Sequence, residues 1–191
     1  QMRGARIAGL LIRQARLRRD WSQDGLCLGI CTPSYLSKIE QGKAEPSPEV
    51  TELLLRRLGL VWIPEPEDLK PCWNALLSGS PGFFLCYEQL VLPQQERLAC
   101  SPLAADILLL AAFYTDTMQP LSEEWEPFLS TRQLALQRAL QGRWDEAARL
   151  EPLPLLSSLT GKPSTQRGRI RPPSRYCETP TARRQTQVIP T

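Results

Sequence analysis

The chain has 191 residues, 42% of them hydrophobic, with 23 Lys/Arg against 20 Asp/Glu and a net charge of +3, which suits one small and one medium packed domain. It contains no histidine and no phosphate-binding glycine loop, so the commonest general base and metal ligand are missing and the residues argue against an enzyme, a metal or a cofactor. Carboxylate pairs such as Glu123-Glu124 and Asp145-Glu146 read as solvated surface. At the N-terminal end, Ile7, Leu10, Leu11, Ile12 and Ala15 recur at helical spacing and leave Arg13, Arg16, Arg18 and Arg19 for the opposite face. Ser22 then offers an N-cap, and Thr32-Pro33 pairs a capping hydroxyl with proline at the first helical position. Two short helices follow from this, with apolar sides at Leu26 and Ile30 and at Leu36 and Ile39. Ser47-Pro48-Glu49 repeats the cap-plus-proline start, Val50, Leu53, Leu54 and Leu58 carry the stripe, and Gly59 is placed to end it. Four helices in about sixty residues make a domain near the lower size limit for independent folding.

These residues resemble the Cro/CI-type (XRE family) helix-turn-helix regulators. The matching positions are Ile12-Arg13, Arg16, Ser22-Gln23, Leu26, Ser37-Lys38-Ile39-Glu40 and Gly42, and the likeness covers roughly residues 4 to 60. The turn Gly29-Ile30-Cys31-Thr32 is a residue shorter than in most repressors of this type, and its Ile-Cys is similar to the turn of Rgg- and PlcR-like regulators, which sense peptides. The resemblance implies that the helix from Thr32 to Gln41 enters the major groove of double-stranded DNA. Pro33, Ser34, Tyr35 and Lys38 would then reach base edges, with Lys38 best suited to a guanine. Gln23, Ser37 and Lys43 would hold phosphates, which sets register without reading sequence. Arg13 and Arg16 have two readings, contact with the DNA backbone or, for Arg16, a favoured pair with Glu40 inside the domain, and Tyr35 has a second reading as a ring packed on the surface.

A boundary falls at Ile63-Pro64-Glu65-Pro66, where two prolines interrupt any continuous helix. The helical pattern then resumes in Leu69, Trp73, Leu76 and Leu77, and again in Phe83, Phe84, Tyr87, Leu90 and Val91 after the breaker Ser78-Gly79-Ser80-Pro81-Gly82. Ser101-Pro102 is expected to cap an apolar helix from Leu103 to Tyr114, framed by Asp106 and Asp116 and too short to span a bilayer. A helical pair is expected at Leu129 to Leu140 and Trp144 to Leu156, joined at Gly142. Its Ala139-Leu140-Gln141-Gly142-Arg143-Trp144-Asp145-Glu146-Ala147 turn resembles one tetratricopeptide-type (TPR-like) hairpin, without a convincing repeat; an unrelated small helical bundle fits equally well. No run of alternating β-branched residues appears, so the fold class is all-α.

The expected division is therefore residues 1–63 as a helix-turn-helix DNA-binding domain of lambda-repressor-like form, 64–159 as a helical sensing and dimerisation domain, and 160–191 as a disordered basic tail rich in Pro, Arg and Thr. Net charges of about +4, −7 and +6 on these parts favour phosphate contact by the first and disfavour it for the second. For the tail, added attraction to DNA, an inert end and a truncated or frame-shifted remnant all remain open. Trp73, Asn74, Tyr87 and Tyr114 are candidate lining for a signalling-peptide groove, although a single asparagine in the chain is few for gripping a peptide backbone. The expected partners are a palindromic operator, a second copy of the chain and such a peptide, with no membrane. The cysteines at 27, 31, 72, 86, 100 and 177 lack zinc-knuckle spacing and read as reduced thiols, with redox sensing through Cys31 or Cys177 as the alternative, and the absence of an apolar leader after Gln1-Met2-Arg3 points to the cytoplasm. A dimeric transcriptional regulator tuned by a ligand, relevant to quorum sensing, is the first functional expectation. The alternative is an antitoxin-like or adaptor module that holds another protein and binds DNA secondarily.

Overall fold

Residues 5–151 are described by the structure, a computed structural model. Among them the secondary structure is helical throughout, with no strand. The first four helices are α1 (Ala5–Arg18), α2 (Gln23–Cys27), α3 (Pro33–Glu40) and α4 (Pro48–Arg57). Their starts follow from local chemistry. Ser22 Oγ accepts from Gly25 N at 3.0 Å, Thr32 Oγ1 from Tyr35 N at 3.2 Å and Ser47 Oγ from Val50 N at 3.2 Å. Each bond satisfies an amide that the helix itself leaves unpaired, and Pro33 and Pro48 occupy first-turn positions where no amide is needed. Ile12, Ala15, Leu26, Leu36, Ile39, Leu54, Leu55 and Leu58 form the core of this unit. Each fully buried leucine or isoleucine contributes roughly 2 kcal/mol of hydrophobic stabilisation.

The remaining helices are α5 (Lys70–Leu77), α6 (Gly82–Cys86), α7 (Gln95–Leu98), α8 (Ala104–Tyr114), α9 (Thr131–Leu140) and α10 (Trp144–Leu150). A π-helical turn at Tyr87–Val91 and a 3-10 turn at Leu92–Gln94 join α6 to α7, and a second 3-10 segment, Glu123–Phe128, precedes α9. Ser130 caps α9 in a reciprocal box with Gln133. Gly142, at φ +77, turns α9 back into α10 as an antiparallel hairpin. Two expectations are corrected. Ser101 does not cap α8, which begins at Ala104; the buried Ser101 hydroxyl instead donates to Leu98 O at 2.7 Å and accepts from Leu103 N at 3.1 Å, tying the end of α7 to the following turn. The last helix ends at Leu150 rather than Leu156, because Glu151 is extended, as the residue before Pro152 tends to be. The tail expected at 160–191 lies outside the described residues.

The core of this second part gathers Leu69, Trp73, Phe83, Tyr87, Leu98, Leu109, Leu110, Leu136 and their neighbours. A third cluster links the two parts, since Ile7 and Leu10 of α1 pack with Ala104, Ala105 and Trp125. Ile63 N also donates to Cys100 O at 3.0 Å. The prolines at 64 and 66 end one run of helices, and these contacts pack it against the next. Among the described residues no helix is long and apolar enough to cross a membrane.

Candidate nucleic-acid interface

The sequence of α3 divides its faces sharply. Leu36, Ile39 and Glu40 are buried, whereas Pro33, Ser34 and Lys38 are exposed, as is Gln41 immediately after the helix. Ser34, Lys38 and Gln41 are spaced four and three residues apart, which places them on one stripe. The helix's single carboxylate is turned inward. Arg16 Nε and Nη2 meet the two oxygens of Glu40 at 2.7 and 2.8 Å, and Gln23 Nε2 donates to Glu40 Oε2 at 2.8 Å. Arg16 Nη1 also reaches Trp21 O at 2.7 Å. This network joins α1, the link before α2, α2 and α3 through one buried carboxylate. Its bond to Glu40 holds the Arg16 guanidinium above its usual pKa. Pairing and full hydrogen bonding are what make such a buried charge tolerable.

Two glycines fix the position of α3. Gly9 lies where α1 crosses the end of α3, so close that a Cβ there would sit 2.1 Å from the Ile39 carbonyl oxygen. Gly42, at φ +68, closes the helix: its N–H donates to Ile39 O at 3.0 Å and the N–H of Lys43 to Lys38 O at 2.8 Å. That is the bonding pattern of a left-handed glycine stop. The Phe128 ring covers Gly42, 3.0 Å from where a Cβ would be, and Arg6 Nη2 donates to Gly42 O at 2.6 Å.

The expected DNA-contacting residues fall into three groups. Pro33, Ser34, Lys38 and Lys43 are exposed, and neither lysine forms an ion pair among the described residues. Tyr35 and Ser37 are half-buried: the Tyr35 hydroxyl donates to Glu45 O at 3.3 Å and Ser37 Oγ accepts from Gln41 Nε2 at 3.0 Å. Gln23 directs its amide to Glu40, which leaves the second amide hydrogen for an outside acceptor. Gln41 was not among the sequence candidates, although its seven-residue spacing from Ser34 signals the shared stripe.

The candidate peptide-groove residues are placed differently from one another. Trp73 is buried in the second core and donates its indole N–H to Asp106 Oδ1 at 3.0 Å. Tyr87 is buried and stacks on Tyr114, with ring centroids 4.2 Å apart and planes 15° from parallel; the Tyr114 hydroxyl donates to Glu88 at 3.1 Å. Asn74 is exposed. The aromatic members pack against the core and each other. The cysteines at 27, 31, 72, 86 and 100 carry free thiols, and burial pushes those of Cys72 and Cys100 up to about 11. Cys177 lies outside the described residues.

Residues 12–61 match the family model described as Helix-turn-helix, a span that runs from within α1 to just beyond α4. This match supports a DNA-binding transcription regulator. No curated protein and no solved structure matches the chain.

Proposed function

We propose that this chain is a sequence-specific transcriptional regulator that lays α3 in the major groove and binds a palindromic operator as a dimer. The observation carrying this reading is the outer face of α3, polar and cationic, with its only acid neutralised inside by Arg16. In this reading Lys38 takes the O6 and N7 edge of a guanine, while Pro33, Ser34 and Tyr35 contact the flanking edges. Ser37, Lys43 and the free amide hydrogen of Gln23 hold phosphates. Residues 1–63 carry the contacts, and the helical part after the two prolines holds the pair together. Dimerisation supplies a second contact set at high effective concentration, and exposed Leu85, Leu92 and Leu108 of that part offer apolar surface for it, at 57%, 44% and 42% accessibility. The aromatic trio Trp73, Tyr87 and Tyr114 serves packing in this reading.

Selection from random-sequence duplexes tests the proposal. The expected result is a two-fold symmetric site. Lys38→Ala should weaken that site by about 1–3 kcal/mol, roughly five- to 150-fold, and relax preference at one position. Lys43→Ala should weaken all sequences alike and lower the salt slope by about one. Failure to select any site, or a Lys38→Ala chain with unaltered affinity, overturns it.

A further inference from the structure

A cavity of about 440 Å³ opens beside α3, within the size range of ligand and peptide pockets. Its walls include two aromatic rings, Tyr35 and Trp62, and four prolines, Pro46, Pro48, Pro64 and Pro102. Glu45 joins the lining, and among the described residues its carboxylate has no hydrogen bond or ion pair. The half-buried Trp62 also has an indole N–H with no acceptor among the described residues. Flat rings among prolines, a free indole donor and a nearby carboxylate are the chemistry that grips a polyproline II segment. The rings take the proline faces, the indole N–H takes an unsatisfied backbone carbonyl, and the acid takes a flanking arginine.

We propose that this groove binds the chain's own residues 169–175, Arg-Ile-Arg-Pro-Pro-Ser-Arg. Charge is complementary: the segment holds three arginines, while Glu45 lines the groove and Glu49 and Glu65 directly follow the lining prolines 48 and 64. Reach is sufficient. The last described residue, Glu151, pairs with Arg132 at 3.1 Å near the start of α9, and Phe128, just before α9, lies on Gly42, three residues ahead of Glu45. These contacts connect Glu151 to the groove through Arg132, Phe128 and Gly42, and the twenty residues from Glu151 to Arg171 extend to ~66 Å. The groove shares Tyr35 with the proposed DNA-contacting set, and the Trp62 signal below reports on the groove without DNA.

The test uses the full chain, labelled at tryptophan nitrogen, with the Trp62 indole signal assigned by its loss in Trp62→Phe. Arg171→Glu combined with Pro172→Ala and Pro173→Ala should displace that signal and leave those of Trp21, Trp73, Trp125 and Trp144 in place. Adding a free peptide of residues 167–175 to the variant should return it, and Glu45→Lys should block the return. In the unaltered chain the signal should not depend on protein concentration. An unchanged Trp62 signal in the tail variant, or a shift that grows with protein concentration and so comes from a second copy, overturns the proposal.

Discussion

Replacing Gly9 with alanine adds one methyl group at a helix interior, where propensity alone would stabilise the fold by about 1 kcal/mol. The structure reverses the sign. The new Cβ would lie 2.1 Å from the carbonyl oxygen of Ile39 and 2.9 Å from its carbon, so ordinary contact requires α1 and α3 to part by about 1 Å or more. Neither helix has room to retreat, because Ile7, Ala8, Leu10, Ile12 and Ala15 on α1 and Leu36 and Ile39 on α3 are all buried. The obstacle is backbone, which cannot rotate aside, and the same oxygen accepts the Gly42 N–H that ends α3. Overpacking of this kind costs about 1–3 kcal/mol, and a backbone clash belongs at or above the upper end. The expected net loss is therefore about 2 kcal/mol or more, which lowers the thermal midpoint by roughly 4–8 °C in a chain of this size. Urea denaturation followed by circular dichroism measures it. A midpoint equal to or higher than that of the unaltered chain would refute the close crossing.

Three other perturbations probe separate parts of the same reasoning. Glu40→Ala leaves Arg16 buried without its partner and should cost about 3–5 kcal/mol, whereas Arg16→Met with Glu40→Leu should recover much of that loss; equal denaturation midpoints for the single and double variants would contradict the pairing account. Burial holds the Asp106 carboxyl above its ordinary pKa, partly opposed by hydrogen bonds from Gln133 and Trp73. A carboxyl raised by folding contributes stability below its unfolded pKa and loses it as pH rises through the folded value. Asp106→Asn, which keeps an acceptor for Trp73, should thus gain on the unaltered chain at pH 7, and the advantage should shrink as pH falls towards 4; an advantage that widens in acid would show the wrong sign. Cys72 and Cys100, at about 11, carry roughly one thiolate per thousand at pH 8, so mass-mapped alkylation should label them far more slowly in the native chain than in the denatured one.

What sequence reasoning reached was governed by distance along the chain. Ser22, Thr32-Pro33 and Ser47-Pro48 mark helix starts because a cap and the amide it satisfies are three residues apart. The orientation of α3 was equally accessible, since its leucine and isoleucine fix which side is inward and leave Lys38 outward. Gly9 was silent: a glycine inside a helical pattern reads as weak propensity until the crossing with α3 is known. Phe128 on Gly42 joins residues far apart in the chain and has no local signature. Trp73 and Tyr87 were ambiguous for a different reason. A polar atom on an aromatic ring looks like a surface handle, but Asp106 satisfies the Trp73 indole inside the fold and Tyr114 covers the Tyr87 ring.

In the proposed complex, the placement of α3 would bear on how selectively it reads DNA. Bidentate contacts to base edges depend on angle as well as distance, and a helix of eight residues cannot fix its own direction by length. Three constraints fix it instead. Gly9 sets its distance from α1, the Arg16–Glu40–Gln23 network sets its rotation against α1 and α2, and Phe128 with Arg6 holds its last turn. The third constraint comes from outside the helix-turn-helix, through the 3-10 segment that also buries Trp125 against α1. The second helical part therefore braces α3 as well as being appended to it, and substitutions at Phe128 should act on α3 without touching its exposed residues Ser34 and Lys38.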